Sequence, residues 1–166
     1  MIKEFQGEYR WLSNFAPCKI VLEGVEYASI EHAYVSAKSD DKEWKEFCAN
    51  PENTAGHLKR AGRDLELKPD WDEKRFGIMR ECIEQKYAQE PYRTKLEETG
   101  FQHIQEGNKW NDKFWGVCLK TNEGENNLGK MIMEVRYGLV GPMVDPKTGQ
   151  INIKYIDNTT DEDWGM

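Results

Sequence analysis

The 166-residue chain has no long apolar run, no C-x-x-C pair and no surplus of positive charge. Its start, "MIKEFQGEYRW", is polar and unlike a signal peptide. No stretch is apolar enough to predict a membrane-spanning helix, so a cytoplasmic protein without a membrane partner is expected. Cys18, Cys48, Cys82 and Cys118 are scattered, which fits reduced thiols better than a disulfide framework. His32, His57 and His103 are equally dispersed, and no zinc site is expected. The net charge of −7 lacks the basic face that indiscriminate grip on a nucleic-acid backbone requires. It leaves room for a small arginine and lysine cluster to read one nucleotide. Neither G-x-G-x-x-G nor a Walker loop occurs, and no internal repeat or low-complexity tract is present.

What the chain does have is 11% aromatic residues, six of them tryptophan, which argues for a packed core despite 32% charged residues. The length suits one domain. "CKIVLEGVEYAS" alternates apolar and polar on both sides of Glu23-Gly24, the pattern of a hairpin. Ser29 is placed to cap a helix, and further helices are expected over "DKEWKEFCAN", "NTAGHLKRAG" ending at Gly62, and "KPDWDEKRFGIMRECIEQKYAQEP". In the last of these Asp70 is the expected cap, and Trp71, Ile78, Met79, Cys82 and Ile83 form the apolar stripe. "YRTKLEETG" closes on Gly100, "FQHIQEG" and "FWGVCL" read as short strands, and "NNLGKMIMEVRYG" as a final helix. Helices outnumber strands without alternating with them, which predicts an α+β fold: a helix-rich single domain with a small antiparallel sheet. The domain is expected over residues 1–140, and a C-terminal hairpin followed by an acidic tail over 141–166.

Four stretches hold residues suited to chemistry. In "EHAYVSAK", Glu31 and Lys38 lie seven positions apart, close to two helical turns, and share a face. They are two solvated charges or two walls of one pocket. A first-turn glutamate favours its ionised form, and a lysine held against apolar walls can lose its proton and attack a carbonyl-like carbon. In "NDKFWG", Asp112 is either an acid or base beside Trp115 or a turn-closing aspartate. "GENNLGK" is either a phosphate- or ribose-binding turn or a helix cap. "YRWLSNFAP" is either a binding loop or part of the core.

Taken in order, these fragments resemble the YbiA-like or NADAR family. The likeness rests on Ser13-Asn14-Phe15, Glu31-His32, Ala37-Lys38, Gly62-Arg63, Trp71 with Lys74, Asp112 with Trp115-Gly116, and Gly124 through Arg136. The family consists of small α+β proteins that cleave N-glycosidic bonds and need no metal or other cofactor. The resemblance implies Glu31, Lys38 and Asp112 as catalytic residues. It also implies Asn14, Phe15, Arg63, Trp71, Trp115, Gly116 and Asn126 as substrate-binding residues. Two substrate classes follow from it: ADP-ribosylated guanine in nucleic acid, and the ribosylamino-pyrimidine phosphates of riboflavin synthesis. The competing expectation is a non-catalytic module that binds ADP-ribose or a nucleotide, although such a reader has no need of an amine nucleophile. No obligate protein partner is expected.

Overall fold

The computed structural model describes residues 1–140. The hairpin and acidic tail expected after residue 140 lie outside the described residues. The described residues divide into two compact units, one of Leu12–Glu90 and the other of Met1–Trp11 with residues 91–140.

In the first unit, β1 (Pro17–Leu22) and β2 (Val25–Ser29) form the expected antiparallel hairpin. Glu23 and Gly24 take φ of 51° and 79°, the paired left-handed conformation of a two-residue turn that matches strand twist. Ile20, Leu22, Tyr27 and Ser29 point inward and are buried. The other side of β1 is met by side chains. Gln85 accepts from Val21 N at 2.8 Å and donates to Val21 O at 2.8 Å. Gln89 does the same for Lys19, at 3.1 and 2.6 Å.

Gln85 stands on α4 (Trp71–Tyr87) and Gln89 two residues beyond its end; α4 is the longest helix of the unit, and in it Trp71, Met79, Cys82, Ile83, Lys86 and Tyr87 are buried. Two expectations need correction there. Asp70 makes no cap bond, because its carboxylate pairs with Lys74 at 2.8 Å one turn along. Ile78 is only half-buried, while Lys86 occupies the stripe instead.

Between hairpin and α4 runs α1 (Ile30–Ser36), of which all but Glu31 is buried. Ser29 caps it as expected, accepting from His32 N at 3.2 Å. The His32 ring is also committed, with Nδ1 2.6 Å from Ser29 Oγ and Nε2 donating to Asn53 O at 2.6 Å. α2 (Lys42–Ala49) and α3 (Ala55–Ala61) start on Asp41 and Thr54 caps and pack on α1. Gly62 is not the left-handed end that was expected. Its φ is −74°, it is buried against Trp44, and the chain continues through a 3-10 turn, Gly62–Asp64.

In the second unit, α5 (Tyr92–Glu98) ends at Gly100, whose φ of 60° is the expected left-handed stop. The strands expected around "NKWND" shrink to β3 (Gly107–Asn108) and β4 (Val117–Cys118), and they pair in parallel. Ile2 bridges to Ile104 nearby. α6 (Asn127–Val140) buries Leu128, Met131, Ile132, Met133 and Val135. It also buries Arg136, whose guanidinium donates to Thr99 Oγ1 at 2.6 Å and Gln102 O at 2.8 Å. Burial pushes that guanidinium down to about 9. Among the described residues no helix is long and apolar enough to cross a membrane.

Candidate active site

The Leu12–Glu90 unit carries Glu31, Lys38, Asn14, Phe15, Arg63 and Trp71. Because α1 stops at Ser36, Lys38 sits in the turn just beyond it, with its N–H bonded to Val35 O at 3.2 Å. Its backbone carbonyl accepts from Lys68 N at 3.1 Å, which fixes the position from which the side chain starts. The amine then lies beside a packed pair of aromatic rings. Nζ lies 5.5 Å from the Tyr34 ring centroid and 6.0 Å from that of Trp71, and the two rings tilt against each other at 5.1 Å.

Burial against these walls lowers the Lys38 pKa; the Glu31 carboxylate pulls it back up, and Lys59 adds to the lowering. The charge of Glu31, at one end of "EHAYVSAK", thus acts on the amine at the other. This favours an amine that is more readily neutral than an exposed lysine, beside a carboxylate able to offset positive charge.

The Ser13–Phe15 segment is tied to the same helix. Asn14 O accepts from Glu31 N at 3.0 Å, satisfying a first-turn amide that has no acceptor within α1. The Asn14 side chain donates to Met79 Sδ at 3.6 Å. Lys59 Nζ stands 5.8 Å from the Phe15 ring centroid. Arg63 is exposed on the 3-10 turn after α3.

The other unit carries Asp112, Trp115, Gly116 and Asn126. Asp112 does close a turn: its Oδ1 accepts from Phe114 N and Trp115 N, both at 3.0 Å. Both bonds fall on Oδ1. The backbone of Asp112 is clamped on both sides by Asn108, which accepts from its N–H and donates to its carbonyl, each at 2.9 Å. Phe114 and Trp115 meet edge to face at 4.8 Å. Gly116 is buried where a β-carbon would strike the Glu106 carboxylate and backbone, so only glycine fits.

Asn126 is held at φ 54°, and its side-chain amide accepts from Glu106 N and donates to Ile104 O, both at 3.0 Å. The groove beside Trp11 and Lys95, about 260 Å³, contains none of the candidate residues.

Four residues escaped the sequence reading. Tyr34 sits four positions before Lys38, a helical spacing that pointed to it. Asn108, four before Asp112, had no such signal. Lys59 and the fully buried Lys86 read as ordinary surface cations. Among the described residues no group of three or more histidines, cysteines or carboxylates gathers to hold a metal ion. The four cysteines are free, and burial pushes the Cys48 and Cys82 thiols up to about 12.

Comparison with known proteins agrees with the resemblance read from the motifs. A model of the NADAR domain matches residues 2–140. An N-glycosidase of Nostoc punctiforme is 34% identical over 135 residues, covering 77% of this chain and 84% of that protein. The N-glycosidase YbiA of Escherichia coli is 29% identical over 132 residues, with 78% and 81% covered. A riboflavin biosynthesis protein of Vibrio vulnificus is 33% identical over 129 residues; the match spans 76% of this chain and 34% of that longer protein. The NMR structure of E. coli YbiA superposes with a TM-score of 0.71 at 26% identity, covering 84% of this chain and 86% of that one.

Proposed function

The chain belongs to the NADAR family, and from that premise we propose that it is an N-glycosidase that removes ADP-ribose from modified guanine in nucleic acid. The observation that carries the chemistry is the amine of Lys38, set against the Tyr34 and Trp71 rings within the electrostatic reach of Glu31.

Cleavage of a ribosyl C–N bond builds oxocarbenium-like charge at C1′. The Glu31 carboxylate offsets that charge. The bonding pair leaves with the base, which takes up a proton relayed by Asp112. The neutral Lys38 amine donates its lone pair to C1′, and as the sugar ring opens the ring oxygen departs from C1′ and is protonated. The product is a Schiff base. Water then adds to the imine, and its collapse returns free sugar and free Lys38.

ADP-ribose brings two phosphates and an adenine, which suits a surface that presents Lys59 beside the Phe15 ring. Recognition through the ADP-ribose also avoids dependence on the nucleic-acid backbone, which a net charge of −7 disfavours. A second reading, hydrolysis of ribosylamino-pyrimidine phosphates, is supported by the same net charge and by the name of the Vibrio relative.

The test is a paired incubation read by mass spectrometry, with an oligonucleotide bearing ADP-ribose on guanine in one tube and the ribosylamino-pyrimidine phosphate in the other. ADP-ribose released only from the first is the expected result. Cleavage only in the second moves the chain to metabolite hydrolysis. Borohydride added during turnover is expected to fix sugar mass on Lys38, and full turnover by Lys38→Ala would eliminate the Schiff base.

A further inference from the structure

The proposed reaction makes no use of Lys86, yet its setting is unusual. It is 0% exposed, one turn beyond Cys82 and Ile83 in the buried stripe of α4. A methionine would fill that stripe equally well, and a buried amine is unfavourable unless it has polar partners. Its Nζ donates to Ser13 O at 2.9 Å and stands 5.3 Å from the Tyr87 ring centroid.

Ser13 opens a short polar segment whose own bonds lead to the candidate site. Ser13 Oγ accepts from Phe15 N at 3.1 Å, which tightens the turn. The next carbonyl, of Asn14, accepts from Glu31 N at 3.0 Å. Lys86 thus grips one peptide, and its neighbour caps the first turn of α1 from outside the helix. Glu31 is the one residue of α1 that is not buried, so this external cap bears on how its carboxylate is aimed.

We propose that Lys86 is a positioning residue for the reaction: by holding the Ser13 carbonyl it sets the Asn14 carbonyl against Glu31 N–H, and so fixes the direction of the Glu31 carboxylate. The inference rests on the assignment of Glu31 to the reaction above. Displacement of such a group by about an ångström lowers turnover by roughly two orders of magnitude. Lys86 touches no substrate in this account and acts only through the loop.

The experiment compares Lys86→Met, Lys86→Gln, Glu31→Gln and the double variant Lys86→Met/Glu31→Gln in the full chain. Turnover is measured on the guanine-ADP-ribosylated oligonucleotide. Lys86→Met should lower kcat about 10- to 100-fold. Lys86→Gln keeps a donor and should fall between it and the wild type; it also keeps the test decisive should the Met variant not fold. The double variant should be no slower than Glu31→Gln alone, since both changes remove the same contribution. Amide exchange at Glu31 should quicken in Lys86→Met while exchange at Met79 and Ile83 stays slow.

Losses that multiply in the double variant, or an unchanged kcat in Lys86→Met, would overturn the positioning role while leaving the function of Glu31 intact. A Glu31→Gln protein at the wild-type rate would sink both that function and this inference.

Discussion

Asn108 offers the sharpest check on how the candidate acid is held. It is 1% exposed, and its amide makes three bonds: to Asp112 N–H and Asp112 carbonyl at 2.9 Å each, and to the Glu106 carboxylate at 3.0 Å. Asn108→Ala removes all three. Asp112 and Glu106 are half-buried, so water recovers part of each loss. At about 1 kcal/mol per bond the expected destabilisation is about 3 kcal/mol, a large share of the roughly 5–15 kcal/mol of an ordinary domain. Asn108→Asp is more informative. The acceptor for Asp112 N–H remains, but the donor becomes an oxygen facing the Asp112 carbonyl and the Glu106 carboxylate. Those neighbours raise the pKa of the introduced carboxyl above its unfolded value near ~3.9. The part of its deficit due to ionisation therefore disappears in acid, where the carboxyl is protonated in both states and its one O–H replaces one of the two donated bonds, and that part grows as pH rises through the window. Urea unfolding followed by tryptophan fluorescence at two pH values measures it, with single-turnover rates for the effect on Asp112. If Asn108→Ala unfolds within about 0.5 kcal/mol of wild type and turns over normally, the clamp is not what holds Asp112.

The other predictions concern single features. The Lys86 amine has a folded pKa lowered by burial to about 7 from 10.5, so between those values only the unfolded chain keeps the proton and stability rises with pH. From about pH 6.5 to about pH 8.5 the wild type should gain about 2 kcal/mol relative to Lys86→Met, and parallel pH curves would refute it. Gly116→Ala drives a methyl into Glu106 and should cost about 2–4 kcal/mol, visible as a lowered melting temperature; an unchanged melt would show that the loop yields. Arg80→Ala removes an exposed pair to Glu84 at 2.9 Å and should change stability by less than about 0.5 kcal/mol, and a larger loss in urea titration would count against the solvent-screened reading of that pair. Activity is expected to survive excess EDTA, since the proposed steps need only proton transfer and an amine; abolition with rescue by one metal would contradict them.

Local chemistry was legible where one residue decides the conformation. Glu23-Gly24 had to turn between two alternating runs, Ser29 had a free amide to cap, and Gly100 alone could adopt a positive φ at the end of α5. The same logic failed where a second partner competed. Asp70 had the composition of a cap, but Lys74 one turn away offered its carboxylate an ion pair. Gly62 takes an ordinary helical φ of −74°, so its freedom of φ goes unused and the chain runs on into a 3-10 turn. The parallel pairing of β3 and β4 was illegible because two-residue strands carry no period. In the candidate site, helical spacing brought Glu31 and Lys38 to notice but left open whether they were solvated charges or pocket walls, and only the family resemblance implied a role for them. The burial of Lys86 was not, because its acceptor lies 73 residues away and no local pattern marks it.

Gln85 on α4 and Gln89 just past its end have a consequence for how the chain keeps to itself. Gln85 and Gln89 occupy the hydrogen-bonding groups of Val21 and Lys19 as a neighbouring strand would, yet their amides offer nothing on their far side for another strand to join. A helix thus ends the sheet, blocking strand addition and the edge-to-edge aggregation that follows from it. Deamidation at either position would set a carboxylate against a backbone carbonyl and expose β1 as a template for another chain. Chemical ageing of two side-chain amides, rather than global unfolding, is then the route by which this hairpin would begin to assemble.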